Sequence, residues 1–288
     1  NILYSSDGGN NYQTQSNGPT HSIFSTHFQD ASNGCAVGLK GTILITSDGG
    51  NNWEQIDPGT TVDLWDVDFI DGSNGWTVGY DGIILKTSDG GHSWETQEAG
   101  TSDEFTTIEF INDSLGFAGG EYGSLFKTEN GGETWDRIDI EIYQRINEIY
   151  FKDETGGWIL TESSILNTQD TGETWDYQVT TFTPSWLNSI QFINDTTGWV
   201  VGGSEKILKT TNGGKEWKSI DVGTDIFFES VQFTNSSNGW IVGWDEYDWI
   251  GRILSTTDGG ETWEEVDCVT KRRRFSINIV DDINKVGW

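Results

Sequence analysis

The sequence predicts an all-β fold, a seven-bladed β-propeller of four-stranded antiparallel blades. Three observations carry that expectation. An eight-residue box recurs as TSDGGNNW (Thr46–Trp53), TSDGGHSW (Thr87–Trp94), TENGGETW (Thr128–Trp135), TQDTGETW (Thr168–Trp175), TTNGGKEW (Thr210–Trp217) and TTDGGETW (Thr256–Trp263), and SSDGGNNY (Ser5–Tyr12) opens the chain. An aromatic landmark returns every 41 residues, at Phe28, Phe69, Phe110, Phe151, Phe192 and Phe233, with Ile279 in the seventh place. Helical periodicity is absent, and a period of about 40 residues built from short strands marks a propeller or a solenoid.

The repeat from Asp63 to Asp103 shows the elements in order. Strand A is the alternating LWDVDFI, strand B is GWTVG, strand C is GIILKT and strand D is SWETQ. Turns rich in Gly, Asn and Asp separate them. Repeats run near 21–62, 63–103, 104–145, 146–184, 185–226 and 227–271, within a single domain spanning 1–288. Residues 272–288 supply only strands A and B, and residues 1–20 only C and D. Joined, the two ends would complete a seventh blade, whereas an open solenoid would leave raw sheet edges.

Composition limits the function classes. The 288 residues carry a net charge of −30, which excludes nucleic acid and anionic membrane surfaces as general partners. With 15 Trp, 14 Phe and 8 Tyr, the chain is acidic but folded, since disordered acidic chains lack aromatics. No apolar run reaches the ~18 residues of a membrane helix, so direct membrane insertion is not expected. Two Cys build no disulfide framework, and the chain holds no Met, which reads as a processed or truncated product. Acidity, scarce Cys and abundant polar residues suit an exported protein, extracellular or periplasmic.

Each box reads as a turn device. Its acid or amide (Asp7, Asp48, Asp89, Asn130, Asp170, Asn212, Asp258) can accept hydrogen bonds from amides of its own turn. The role assigned to these residues is structural, with carbohydrate or metal binding as the alternative. Six Trp close boxes and five (Trp76, Trp158, Trp199, Trp240, Trp288) sit in the strand B motif, where Cys35 and Phe117 take the same slot. Cys35 is therefore read as a packing residue.

The box S/T-x-D/N-G-G-x-x-W is the Asp-box, or bacterial neuraminidase repeat. FIDGSNGWTVGYDGIILKTSDGGHSW (Phe69–Trp94) and FINDTTGWVVGGSEKILKTTNGGKEW (Phe192–Trp217) join it to a preceding F-x-[DN]-x-x-x-G-W-x-V-G. So combined, and over essentially the whole chain, the sequence resembles the photosystem II stability/assembly factor family of seven-bladed propellers. The resemblance implies a protein client, an arginine-rich docking patch and a thylakoid lumen location. Asp-boxes also occur in sialidases, tandem-propeller xyloglucanases and sortilin-type receptors.

Four Trp lie outside the repeat pattern: Trp65 and Trp186 at D-to-A crossings, Trp244 and Trp249 in the sixth B-to-C loop. Both connections emerge opposite the boxes, where Phe105, Phe227, Phe228, Tyr80, Tyr122, Tyr143 and Tyr247 also map. An aromatic-rich face on an acidic protein is a candidate binding surface. Trp244 and Trp249 are expected to be exposed, while Trp65 and Trp186 either share that surface or pack between blades. The loop Trp244–Gly251 stretches the box spacing to 46 residues, and Asp245, Glu246 and Asp248 are its weak candidates for a hard cation. Lys271, Arg272, Arg273 and Arg274 form the only basic run, at the crossing into the closing blade, with Arg145 near another crossing. They are a docking patch for an acidic partner or a solvated offset to acidic neighbours.

No catalytic constellation is visible. A sialidase needs an arginine triad and an Arg-Ile-Pro signature, and the signature is absent. His21, His27 and His92 are scattered, with His27 expected to pack in strand A. The expected function is a non-enzymatic binding or scaffold propeller with a protein partner and no cofactor. A carbohydrate-binding propeller, a glycoside hydrolase and a spacer in a larger surface protein are the alternatives.

Overall fold

The computed structural model describes residues 2–5, 13–14, 21–178, 186–203, 206–266, 276–281 and 285–287. Six four-stranded antiparallel blades are each built from one contiguous repeat. Blade 1 comprises Ile23–Phe28, Gly34–Gly38, Thr42–Thr46 and Glu54–Ile56. Blade 2 comprises Leu64–Phe69, Gly75–Gly79, Ile84–Thr87 and Glu95–Gln97, and blade 3 Phe105–Phe110, Gly116–Gly120, Leu125–Thr128 and Asp136–Ile138. Blade 4 comprises Ile146–Phe151, Gly157–Thr161, Ile165–Thr168 and Asp176–Tyr177. Blade 5 comprises Leu187–Phe192, Gly198–Gly202, Lys206–Thr210 and Lys218–Asp221. Blade 6 comprises Ile226–Phe233, Gly239–Asp245, Gly251–Thr256 and Glu264–Glu265.

The expectation of a seven-bladed propeller, its last blade closed by the two chain ends, is therefore corrected to a propeller of six blades. The chain ends form a shorter sheet in the order Gln13–Thr14, Leu3–Ser5, Lys285–Gly287, Asn278–Asp281. No single repeat supplies it, and its strands are only two to four residues long. Asp7 of its box lies outside the described residues. The chain divides into two compact units, Asn1–Tyr4 with Thr14–Ile149, and Ser5–Gln13 with Tyr150–Trp288. No helix of the described residues is long and apolar enough to cross a membrane.

Within each unit the blades are joined by three aromatics. In the first unit, strand B Trp76 stacks on strand A Phe110 of the next blade, 3.5 Å between centroids and 8° between planes. Phe110 meets box residue Trp135 edge-on at 5.9 Å. In the second unit Trp199, Phe233 and Trp263 repeat the arrangement at 3.6 and 5.8 Å. Trp76 and Trp199 are fully buried, and each such pair contributes about 1 kcal/mol beyond its area burial. The Trp spacing in the sequence is thus the spacing of blade junctions. Cys35, in the strand B slot, is a buried free thiol that desolvation pushes up to about 12.

Strand A carries a register shift near its start in blades 1, 2, 3, 5 and 6, as between Leu64 and Asp66. Such a bulge turns the following polar side chains toward the neighbouring blade. Asp66 Oδ2 accepts from the Ile108 amide at 2.9 Å, and Asp68 Oδ2 from the Phe110 amide at 2.7 Å. Thr107 Oγ1 accepts from the Ile149 amide, and Ser189 Oγ from the Val231 amide. These bonds span 42 residues and satisfy strand A amides that have no further strand to pair with.

Candidate functional site

Each blade presents two chemically different ends. At the box end, the turn satisfies itself. Thr87 Oγ1 accepts from the Gly91 amide at 2.9 Å and donates to Asp89 Oδ1 at 2.8 Å. Asp89 in turn accepts from the Ser93 amide and hydroxyl at 2.9 and 2.7 Å. The Ser93 hydroxyl leads the hydrogen bonds that hold the Asp89 carboxyl down to about 2. Asp48, Asn130, Asp170, Asn212 and Asp258 make the same amide contact four residues on. The adjoining A-to-B turn is capped likewise, Asp71 accepting from the Ser73 and Asn74 amides. The amide of the box's first glycine ties the two turns together, as from Gly90 to Ser73 O at 2.9 Å. These lone pairs are spent on the fold, so the box carboxylates have little capacity left for a ligand.

The other end of the blades, where B-to-C turns meet D-to-A crossings, is aromatic. In the first unit, Trp65 follows the first residue of strand A, at the bulge. Its ring stacks on Phe24 at 4.3 Å and approaches Tyr80 at 6.4 Å. The Arg145 guanidinium lies 5.9 Å from the Trp65 ring and pairs with Glu121 at 3.3 Å. Glu104 sits beside them. Desolvation raises its carboxyl above the usual range, opposed by Arg145 and reinforced by Glu121. Glu104 is also the main reason the Tyr80 phenol is raised. Tyr80, Tyr122 and Tyr143 are exposed, the last at 88%.

In the second unit, Phe227 of strand A, Trp244 at the end of strand B and Trp249 of the B-to-C loop form a stack of three rings in blade 6. Phe227 lies 5.1 Å from Trp244, and Trp244 lies 5.0 Å from Trp249 with 15° between planes. Trp244 Nε1 donates to Glu229 Oε1 at 2.7 Å. Trp249 remains 57% exposed and Tyr247 80%. The loop is internally fixed: Asp245 Oδ1 accepts from the Tyr247 amide at 2.9 Å, and the Trp249 amide donates to Asp245 O at 2.9 Å. The Tyr247 amide leads the causes that lower the Asp245 carboxyl.

The structure sorts the aromatics named from the sequence. Trp249, Tyr247, Trp186, Tyr80, Tyr122 and Tyr143 are exposed, and Trp65 is half-buried. Trp244 is not exposed as expected: at 8% it is sandwiched between Phe227 and Trp249. Phe105 and Phe228 leave the surface altogether, because each occupies the inward position immediately ahead of the strand A bulge. Asp245 and Asp248 hold Arg252, at 3.2 and 3.0 Å, rather than converging with Glu246. No group of three metal-ligating side chains occurs among the described residues. His27 packs in strand A, with Nδ1 at 3.3 Å from Asp68 and its ring against Phe69. Lys271, Arg272, Arg273 and Arg274 lie outside the described residues. Glu104 and Glu229 were missed by sequence reasoning. Their signal was positional: each stands where the bulge meets the crossing.

Repeat, blades and turn chemistry together define an Asp-box β-propeller. The profile of the family described as photosynthesis system II assembly factor YCF48 matches residues 51–144, 138–227 and 216–288. The chain belongs to that family. It is similar in structure to a YCF48 bound to D1 peptide, at 20% identity and TM-score 0.75, over 94% of both chains. YCF48 from Cyanidioschyzon merolae is similar at 19% identity and TM-score 0.75, over 95% of this chain and 97% of that one. The GH74 xyloglucanase from Xanthomonas campestris shares 11% identity and TM-score 0.66, over 93% of this chain but 47% of the enzyme. No curated protein sequence matches the chain.

Proposed function

We propose that this protein is a YCF48-like binding module that captures a segment of a client protein on the aromatic ends of its blades. One observation carries the reading. Stacked, partly exposed aromatics gather at the crossing and B-to-C ends, around Trp65 and around Trp249, while the box ends consume their own polar groups. Exposed aromatics on a rigid frame are the usual anchors of protein recognition. The solved YCF48 complex with D1 peptide supports a peptide as the ligand class. Family membership favours binding over catalysis. The proposal goes with the exported location read from the sequence.

Fluorescence anisotropy with a labelled D1 peptide tests it. The expected outcome is saturable binding that Trp65→Ala or Trp249→Ala weakens about tenfold, the effect of losing one aromatic anchor. Asp258→Asn, at a box turn, should leave the affinity unchanged. Equal loss in the Asp258→Asn protein, or no binding of the peptide at all, would reject the proposal.

A further inference from the structure

We infer that the Trp249 corner receives a lysine or arginine side chain of the protein partner. The inference rests on the peptide-capture reading above and names the chemistry of one contact within it.

Trp249 is the outer ring of a stack whose inner rings, Trp244 and Phe227, leave it backed on one side by aromatic surface. Its backbone takes φ +60, a left-handed conformation that a bulky residue adopts only when its surroundings impose it. Here they do. The Trp249 amide is bonded to Asp245 O, the Ile250 amide to Asp248 Oδ1, and the Asp245 amide to Ile250 O. A ring held this way loses little freedom on binding, which favours a contact made on its exposed side.

The charge around the platform selects the partner. Among the described residues of blade 6, Glu229, Asp245, Glu246, Asp248 and Glu265 stand on the loop or beside it, with Arg252 as the cation among them. Arg252 is already committed: its guanidinium meets Asp245 at 3.2 Å, Asp248 at 3.0 Å and Glu265 at 3.3 Å. Glu229 accepts the Trp244 indole N–H, which fixes a carboxylate at the edge of the stack's middle ring. Glu246, adjoining in the loop, is exposed, and its amide is tied to Asp225 O. The corner is therefore an aromatic face in a field of surplus negative charge. An ammonium or guanidinium is attracted both by that field and by the π face of the ring. An acidic segment is repelled, and a neutral apolar one gains only area.

The test uses the full chain and two end-blocked nine-residue peptides. One holds a single central arginine among glycine and serine, and the other has citrulline there, which keeps the shape and removes the charge. Isothermal titration is expected to show the arginine peptide binding about tenfold tighter at low salt, with the margin shrinking as salt rises. Trp249→Ala should abolish the difference, and Trp249→Phe should keep part of it. Equal binding of the two peptides would overturn the inference. So would binding of xyloglucan oligosaccharide that Trp249→Ala removes, which would make the platform a sugar site. The labelled D1 peptide, run in parallel, separates the two failures. If it binds while the arginine preference is absent, peptide capture stands and only the cation contact falls.

Discussion

The two ends of a blade treat acidic side chains in opposite ways. At the box turns, carboxylates are solvated and surrounded by their own amide and hydroxyl donors. Their pKa values fall, to about 2 for Asp89 and Asp170. Asp66 in strand A and Glu104 at the crossing into blade 3 are desolvated instead, and their pKa values rise, while Asp245, held by the amides of its own loop, is lowered as a box acid is. Asp66 reaches about 6 although it accepts hydrogen bonds from Ile108, Ser25 and Val67, because desolvation outweighs them. Glu104 moves the same way. A box turn answers to itself, whereas strand A and the crossings answer to the next blade. The first is built for repetition and the second for variation, and variation is where recognition can reside.

Changes at the crossing end should propagate, and changes at the box end should stay local. The largest effect is expected from Gly120→Ala. A Cβ there would lie 2.0 Å from Glu104 O, backbone that cannot yield cheaply. The expected cost is about 3 kcal/mol or more, read by chemical denaturation. Hydrogen exchange should also show loosening in blade 4, through the Arg145–Glu121 pair. If protection is lost only in blade 3, the contrast between the ends fails.

Next in size is the pH dependence set by Asp66. Its folded pKa lies above the unfolded value, so between about pH 4 and 6 the folded state holds a proton that the unfolded state has released. Stability from this group is therefore full below about pH 4 and declines as pH rises to about 6, by on the order of 3 kcal/mol. The box acids act in the opposite sense and at lower pH, their contribution being lost as pH falls toward about 2. Melting curves across pH 3–8 should show the decline, and Asp66→Asn should flatten it between pH 4 and 6. A decline that survives in Asp66→Asn would assign it to another group.

The smallest effect sharpens the other side of the comparison. Thr171 stands in the blade 4 box where its counterparts are glycines, and it takes φ +63. A β-branched residue in that region is strained, so Thr171→Gly should stabilise by about 1 kcal/mol. The gain should appear in the denaturation midpoint. A destabilised variant would show that the box turn draws support from outside itself.

Much of this was legible in the residues. The four strands read in the repeat from Asp63 to Asp103 are those of blade 2, and the box motif forecast its own hydrogen bonds, since both are local. Cys35, read as a packing residue from its place in the strand B slot, is buried, as are Trp76, Trp158 and Trp199 in the same slot. Burial at the crossings was not legible. A bulge changes which parity faces inward, and nothing in a two-residue alternation announces it. That is how Phe105 and Phe228 came to be read as surface residues. Trp244 was misread for another reason: three aromatics near a loop do not reveal which one is covered by the others. The count of blades failed where the pattern itself stops, at the two chain ends.

The strand A bonds across 42 residues have a consequence for how such a chain can change its length. Asp66 is matched to Ile108 and Asp68 to Phe110 on the same offset. An insertion within a strand would shift every later donor past its acceptor. An insertion in the blade 6 B-to-C loop shifts none of them, and that is where the extra residues stand. The fold works as a ruled page: fixed lines at the inner strands, and open margins at the loops, where new text can be written without disturbing a line.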